Sequence, residues 1–241
     1  MKVGLIGRNI GYSKSKEIFE AKGIEYHVYD VPYVEQGIEM AIADQLNGFN
    51  VTKPFKKDIV KYMDSLLHDA YHTKTVNCVK IIDDRFIGEN FDGEAFRNSL
   101  EYYLSSHEDW ESKFPRKIAI LGNGGVVPAI LNGLHEAINM SSNAKYSVAM
   151  TVYARNPDVK TENPLSKFKA KDHDLIINTI PFEAKIDINF NNKHKFIYYD
   201  LNYADDTLIK KAQRNKNCSW AINGMDMLER QADMALNWWN E

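Results

Sequence analysis

The 241-residue chain is poor in the features that mark secreted, membrane and nucleic-acid-binding proteins. Two cysteines, Cys78 and Cys218, are too few for a disulfide framework. No run approaches the roughly 20 apolar residues needed to cross a bilayer. The opening Met1-Lys2-Val3-Gly4-Leu5-Ile6-Gly7 is too short an apolar stretch for a signal peptide. Thirty basic against thirty-three acidic residues give a net charge of −3, so no general basic field favours nucleic acid. Internal repeats and low-complexity segments are also missing. What is left is an ordinary globular composition, 44% hydrophobic and 26% charged, long enough for one large domain or two modest ones. The expectation is a cytoplasmic protein with no nucleic-acid partner and no membrane.

The apolar pattern alternates between strand and helix. Residues 2–7 predict a buried strand, and Ser13-Lys14-Ser15-Lys16 predicts the cap of a helix carrying Ile18 and Phe19 and stopping at Gly23. A second strand is expected over 25–31, a helix over 33–45 and a third strand over 48–52. Residues 78–82 and 85–88 flank Asp83-Asp84 as a hairpin does. Asn90-Phe91-Asp92-Gly93 reads as a turn before a helix over 94–104, and 105–113 as a polar linker. A second alternating unit follows: strands over 117–122, 148–154, 174–180 and 196–201, with a helix from about Val126 to Ile138. Residues 223–239 predict a helix that is apolar nearly all round, the pattern of one packed on two sides. The fold class is α/β with mainly parallel sheets.

The first half is organised around Gly48-Phe49-Asn50-Val51-Thr52-Lys53-Pro54-Phe55-Lys56. It reads as a short buried strand ending in a polar turn, with Pro54 opening a helix. Asn50, Thr52 and Lys56 leave that turn together, at the carboxyl end of a strand, where open α/β sheets place ligands. On this stretch alone Lys56 is a point charge, a proton carrier or a solvated surface group.

Gly122-x-Gly124-Gly125 follows a strand and opens a helix, the context in which backbone N–H groups meet a phosphate; an ordinary strand-to-helix turn is the other reading. The third glycine of the dinucleotide fingerprint is replaced by Val127. After the next strand stands Ala154-Arg155-Asn156, with no acid before Asp158. An arginine there suits a 2′-phosphate, so NADP is favoured over NAD; a solvated arginine at a strand end is the other reading. His68 and His72 have a metal-binding spacing, but no third ligand and no catalytic Glu accompany them, so no metal is expected. Ser13 and Ser15 are either helix caps or a pair of hydroxyls for a carboxylate.

Taken in order, these motifs resemble the shikimate dehydrogenase family over nearly the whole chain. Gly4-Leu5-Ile6-Gly7 with Ser13-x-Ser15, Gly48-x-Asn50-Val51-Thr52-x-Pro54-x-Lys56, Val76-Asn77, Gly88-x-Asn90-x-Asp92-Gly93, Leu121-Gly122-x-Gly124-Gly125, Arg155, Asn178-Thr179, Tyr199-Asp200-x-x-Tyr203 and Asn223-Gly224-x-x-Met227-Leu228-x-x-Gln231-Ala232 carry the resemblance. It implies a substrate domain of residues 1–95, completed by a C-terminal helix over 222–241. It also implies a Rossmann-like NADP domain over 96–221, with a cleft between the two, in a monomer or homodimer. The implied reaction is hydride transfer between NADP and the ring 3-position of shikimate. Lys56 and Asp92 would be catalytic. Ser13, Ser15, Thr52, Asn77, Tyr203 and Gln231 would bind substrate. Gly122, Asn123, Gly124, Gly125, Val126, Arg155, Asn156, Thr179, Leu201 and Gly224 would bind cofactor. A free lysine titrates near ~10.4, burial lowers that value and an adjacent carboxylate raises it, so the pair is named without choosing one residue as the base.

The chain departs from the family's usual pattern at several places. Tyr12 and Lys16 stand where His and Pro are usual around the serines. Cys78 and Phe91 each replace a threonine, and Ala154-Arg155-Asn156 replaces Asn-Arg-Thr. The second basic residue expected at 159 is valine, with Lys160 one step later. These departures motivate two other readings: a quinate-type or NAD-using relative, and a ligand-binding paralogue without turnover.

Overall fold

The computed structural model describes residues 1–105, 114–140, 147–158 and 160–241. Most of the expected linker and Val159 lie outside the described residues. The chain divides into two units. Unit 1 comprises Met1–Phe96, Pro128–Gly133 and Leu228–Glu241; unit 2 comprises Arg97–Val127 and Leu134–Met227.

Unit 1 contains β1 (Lys2–Gly7), α1 (Ser15–Ala21), β2 (Glu25–Asp30), α2 (Val34–Ala43), β3 (Gly48–Val51), β4 (Ser65–Leu66), α3 (His68–Thr73), β5 (Cys78–Ile82) and β6 (Arg85–Glu89). The strands form one sheet in the order β2-β1-β3-β5-β6-β4. β1 pairs in parallel with β2 and β3, and β4 with β6, whereas β5 runs antiparallel to β3 and β6. The Asp83-Asp84 hairpin turn has both residues at positive φ, 49° and 60°, as a tight type I′ turn requires. From β1 the chain first winds to β2 on one side and then to β3 on the other. The carboxyl ends of β1 and β3 therefore form a topological switch point, the usual ligand crevice of such sheets.

Both faces of this sheet are covered. On one, α2 buries Val34, Gly37, Ile38 and Ala41, an i, i+3, i+4, i+7 stripe, in a core with Ile6, Phe49, Val51 and Ile59. A side chain at Gly37 would collide with Ile6, so the glycine lets helix and strand approach. On the other face Val3, Leu5, Phe19, Tyr26 and Cys78 pack with Ala232, Ala235 and Trp239 of α7 (Met225–Asn240). The Trp239 indole N–H donates to Val79 O at 3.0 Å, and a Cβ at Gly48 would lie 2.5 Å from the same indole nitrogen. Only the stripe Glu229, Asp233, Asn237 and Asn240 of α7 is exposed, as its nearly continuous apolar surface predicts.

Unit 2 contains β7 (Lys117–Leu121), β8 (Ala149–Ala154), β9 (Asn163–Pro164), β10 (Leu175–Asn178), β11 (Phe196–Asp200), α6 (Thr207–Gln213) and β12 (Cys218–Ile222). α4 (Asp92–Ser105) begins in unit 1 and ends in unit 2, whereas α5 (Val127–Met140) begins and ends in unit 2 and gives only Pro128–Gly133 to unit 1. The sheet order is β12-β11-β10-β7-β8-β9, and every pairing is parallel. Its switch point lies between β7 and β10. The Val/Ile/Leu-rich strands β7 and β10 are central and buried on both faces.

Several expectations fail locally. Pro54 does not open a helix: the Lys53–Pro54 bond is cis, and Phe55 N–H donates back to Thr52 O at 2.9 Å, making a turn. The first helical residues after it are a 3-10 segment, Asp58–Tyr62. No side-chain cap bond closes the start of α1, so the serines are not caps in the expected sense. Asp92 and Gly93 already belong to α4, which begins two residues earlier than the sequence suggests. α6 and β12 fall in a stretch whose apolar residues show no clear period in the sequence.

Candidate active site

The switch point of unit 1 is built from three backbone segments. Thr52 N–H donates to Ile6 O at 3.0 Å and Arg8 N–H to Lys53 O at 3.1 Å, tying the loops after β1 and β3. Val76 N–H donates to Lys56 O at 2.8 Å, and Val51 N–H to Asn77 O at 2.8 Å, bringing residues 76–77 alongside. These bonds fix where the Lys56 side chain starts. Its Nζ reaches Asp92 Oδ2 at 2.6 Å, with the two side chains only 13% and 6% exposed. Asp92 is the first residue of the fourteen-residue α4, where the helix dipole favours a negative group.

Asn77 joins this pair to the C-terminal helix. Its Nδ2 donates to Asp92 Oδ1 at 2.9 Å and to Gln231 Oε1 at 3.3 Å, while its Oδ1 accepts Phe91 N–H at 2.9 Å. Residues 154 positions apart thus meet at one amide. Two groups that sequence reasoning left without a role hold the assembly. Asn90 donates to Thr75 O at 3.1 Å and Oγ1 at 2.7 Å, and its Oδ1 accepts Asp92 N–H at 3.1 Å. The buried Glu89 carboxylate accepts the N–H groups of Ala70 at 3.2 Å and Asn90 at 2.8 Å, and pairs with His68 Nδ1 at 2.7 Å. His68 is therefore engaged away from His72, and no group of three metal-ligating side chains occurs among the described residues. The signal for Asn90 was present in the sequence, as the middle of Gly88-x-Asn90-x-Asp92.

Ser13 and Ser15 face each other, Oγ to Oγ at 3.2 Å, and Ser13 Oγ accepts Ser15 N–H at 3.3 Å. Beside them Lys53 Nζ sits 4.7 Å from the centre of the Tyr12 ring, a cation–π distance. Thr52 is half-buried at the end of β3. Tyr203, half-buried after β11, belongs to unit 2. Two of the departures put their side chains into the core: Cys78 is fully buried among Val3, Phe19 and Tyr26, and Phe91 packs edge-on against Trp238 at 5.7 Å. Burial pushes the Cys78 thiol well above its usual range, which leaves it a packing group and not a nucleophile.

In unit 2 the expected cofactor residues gather at the carboxyl ends of the strands. Gly122 leaves β7 with φ +107°, and a Cβ there would collide with the Thr179 hydroxyl, itself donating to Leu121 O at 2.8 Å. Only glycine satisfies both conditions. A Cβ at Gly124 would meet nothing within 4 Å, so the backbone before α5 stands open. Gly125 and Val126 complete the turn into α5. Asn123 Nδ2 donates to Asn156 O at 3.0 Å, drawing the loop after β8 toward the glycine turn, and Arg155 beside it is exposed. Gly224 is packed on the Leu201 backbone after β11 and β12. An open glycine turn leading into a fourteen-residue helix at a switch point fits a dinucleotide phosphate.

Residues 5–79 match the family model described as "Shikimate dehydrogenase substrate binding domain". Over 98% of its length the chain is 31% identical to a shikimate dehydrogenase (NADP(+)) of Clostridium botulinum, 95% of which is covered. The chain belongs to the shikimate dehydrogenase family. Two solved structures of the family are similar throughout. The first is a chorismate mutase/shikimate 5-dehydrogenase fusion protein from Clostridium acetobutylicum, 26% identical, with a TM-score of 0.75 over 99% of this chain and 90% of that one. The second is a shikimate dehydrogenase in complex with NADP+, 27% identical, with a TM-score of 0.73 over 99% and 90%. The two-unit, Rossmann-like α/β architecture is thus the family's own.

Proposed function

We propose that the chain is an NADP-dependent oxidoreductase interconverting shikimate and 3-dehydroshikimate. The observation that carries this reading is the Lys56–Asp92 pair, 2.6 Å apart and joined through Asn77 to Gln231. In this pair the carboxylate, or the lysine as a neutral amine, can take the proton of a ring hydroxyl, while a charged Lys56 stabilises the developing alkoxide and in reverse polarises the ketone. Asn77, Gln231 and Thr52 would hold ring hydroxyls, and Ser13 and Ser15 the ring carboxylate. Unit 1 is then the substrate domain and unit 2 the nucleotide domain. Gly122, Asn123, Gly124, Gly125 and Val126 would hold the pyrophosphate, with Arg155 and Asn156 at the 2′-phosphate. Thr179, Leu201 and Gly224 would hold the nicotinamide side. NADP, when bound, accepts or gives the hydride. Apart from that transfer, the chain's own residues bind, orient and move a proton. The name of the Clostridium botulinum relative supports both substrate and cofactor.

The test is formation of NADPH or NADH by the purified chain, across shikimate and quinate with NADP and NAD. The reading expects shikimate with NADP to give the highest kcat/KM. A clear preference for quinate would replace it with the quinate-type reading. That alternative is motivated by Tyr12, Phe91 and Ala154, which depart from the family's usual residues. Shikimate binding without turnover by concentrated enzyme would replace it with a binding role.

A further inference from the structure

The loop after β8 contains an acid that its sequence position conceals. The chain leaves β8 at Arg155 and turns at Asp158, whose carbonyl accepts the N–H groups of Thr161 at 3.1 Å and Glu162 at 2.7 Å. It then returns beside the strand it has left, Asn163 pairing with Tyr153 and Pro164 with Ala154. This turn brings Glu162, seven positions past Arg155, back to the end of β8. Its Oε2 accepts Asn123 Nδ2 at 3.0 Å and Asp158 N–H at 2.9 Å. Asn123 is the variable residue of the Gly122-x-Gly124-Gly125 turn, and its same amide nitrogen holds Asn156 O. The carboxylate is therefore tied at once to the glycine turn and to the loop that carries Arg155.

In dinucleotide folds the end of this strand decides between the two nicotinamide nucleotides. An acid accepts the ribose hydroxyls of NAD, and an arginine accommodates the 2′-phosphate of NADP. Here both kinds of group are present on one loop. We propose that Glu162 is a selectivity residue: its carboxylate opposes a 2′-phosphate and admits a free ribose hydroxyl, so the pocket accepts NAD alongside NADP. This rests on the dinucleotide reading of unit 2. Arg155 and Glu162 then act in opposite directions on the same ligand group. The site is open to water, so their influence is screened by salt but not abolished at a few ångströms.

Binding separates the two nucleotide classes without any turnover. Titration calorimetry with 2′,5′-ADP, which carries the 2′-phosphate, and 5′-ADP, which lacks it, is run on the wild-type chain, E162Q, E162D and R155Q. Glutamine keeps an oxygen for Asn123 and for Asp158 N–H, so the loop is retained. E162Q is expected to bind 2′,5′-ADP about tenfold more tightly, with 5′-ADP changed by less than about threefold, and the gain shrinks as salt is raised. R155Q is expected to weaken 2′,5′-ADP by about tenfold and leave 5′-ADP within about threefold. E162D, which keeps the acid, stays near the wild-type ratio. The proposal fails if E162Q leaves the ratio unchanged, or if E162Q and E162D shift it together, which would implicate loop geometry and not charge. If the wild-type chain binds neither nucleotide, the dinucleotide reading itself falls and takes this inference with it.

Discussion

In unit 1 the polar groups of the candidate site are buried and face one another. Lys56, Asp92, Asn77, Gln231, Asn90 and Thr75 form one hydrogen-bonded set beneath the carboxyl ends of β1 and β3. In unit 2 the equivalent edge presents glycine backbone and exposed side chains, and its bonds link loop to loop. The two sheets differ in the same sense: antiparallel β5 and β6 bring a hairpin beside the first switch point, while the second sheet is parallel throughout. A site that must position a proton within tenths of an ångström benefits from buried, mutually satisfied groups. A site that only holds a nucleotide can be made from backbone and a few adjustable charges. Function in unit 1 should therefore be brittle and function in unit 2 tunable.

The largest effect is expected where the core supports the first site. Trp239→Ala removes a buried indole and its bond to Val79 O, and should cost about 3–5 kcal/mol in urea unfolding. A cost below about 1 kcal/mol would mean that α7 is not anchored as described. Next comes Asn90→Ala, which removes the acceptor of Asp92 N–H and leaves Thr75 bonded to Thr73 alone. It should cost about 1–3 kcal/mol and lower kcat while 2′,5′-ADP affinity is unchanged. Equal losses in both readouts would erase the contrast between the units.

The glycines of unit 2 sharpen it. Gly122→Ala should destabilise the fold by about 1–2 kcal/mol through its positive φ alone. Gly124→Ala, with nothing near its Cβ, should leave the melting curve within about 0.5 kcal/mol of wild type yet weaken 2′,5′-ADP binding. The smallest effect concerns His173, buried against Tyr153 and Phe168. Burial holds its pKa below the usual 6.5. The neutral ring is therefore favoured in the fold, and its contribution is complete above pH 6.5 and declines as the pH falls below that value. His173→Gln should flatten the acid limb of the thermal stability curve, and an unchanged slope would contradict the assignment.

Much of this was legible in the sequence. The strand ends, the glycine turn and the closing helix follow from apolar periodicity and from turn chemistry, which are local. Lys56 and Asp92 could be paired only through a family resemblance, because no local rule brings positions 36 apart within 2.6 Å. Glu89 and Asn90 were passed over because a buried polar side chain and a solvated one look alike until their partners are known. Glu162 was hidden for another reason: the rule for its strand looks for an acid next to the strand end, and this one arrives by a turn. Cys78 and Phe91 could not be placed from the sequence either: both neighbour site residues in the chain, yet Cys78 is fully buried and Phe91 is partly buried against the same cluster.

The central claim is that Lys56 and Asp92 act as one unit on the reacting hydroxyl. A double-mutant cycle on kcat for shikimate oxidation, with Lys56→Met, Asp92→Asn and the pair together, tests it most directly. Each single variant should lose about 10²-fold or more, and the double variant little beyond the worse single one. Single losses that multiply in the double variant, or either single variant retaining wild-type kcat, would contradict it.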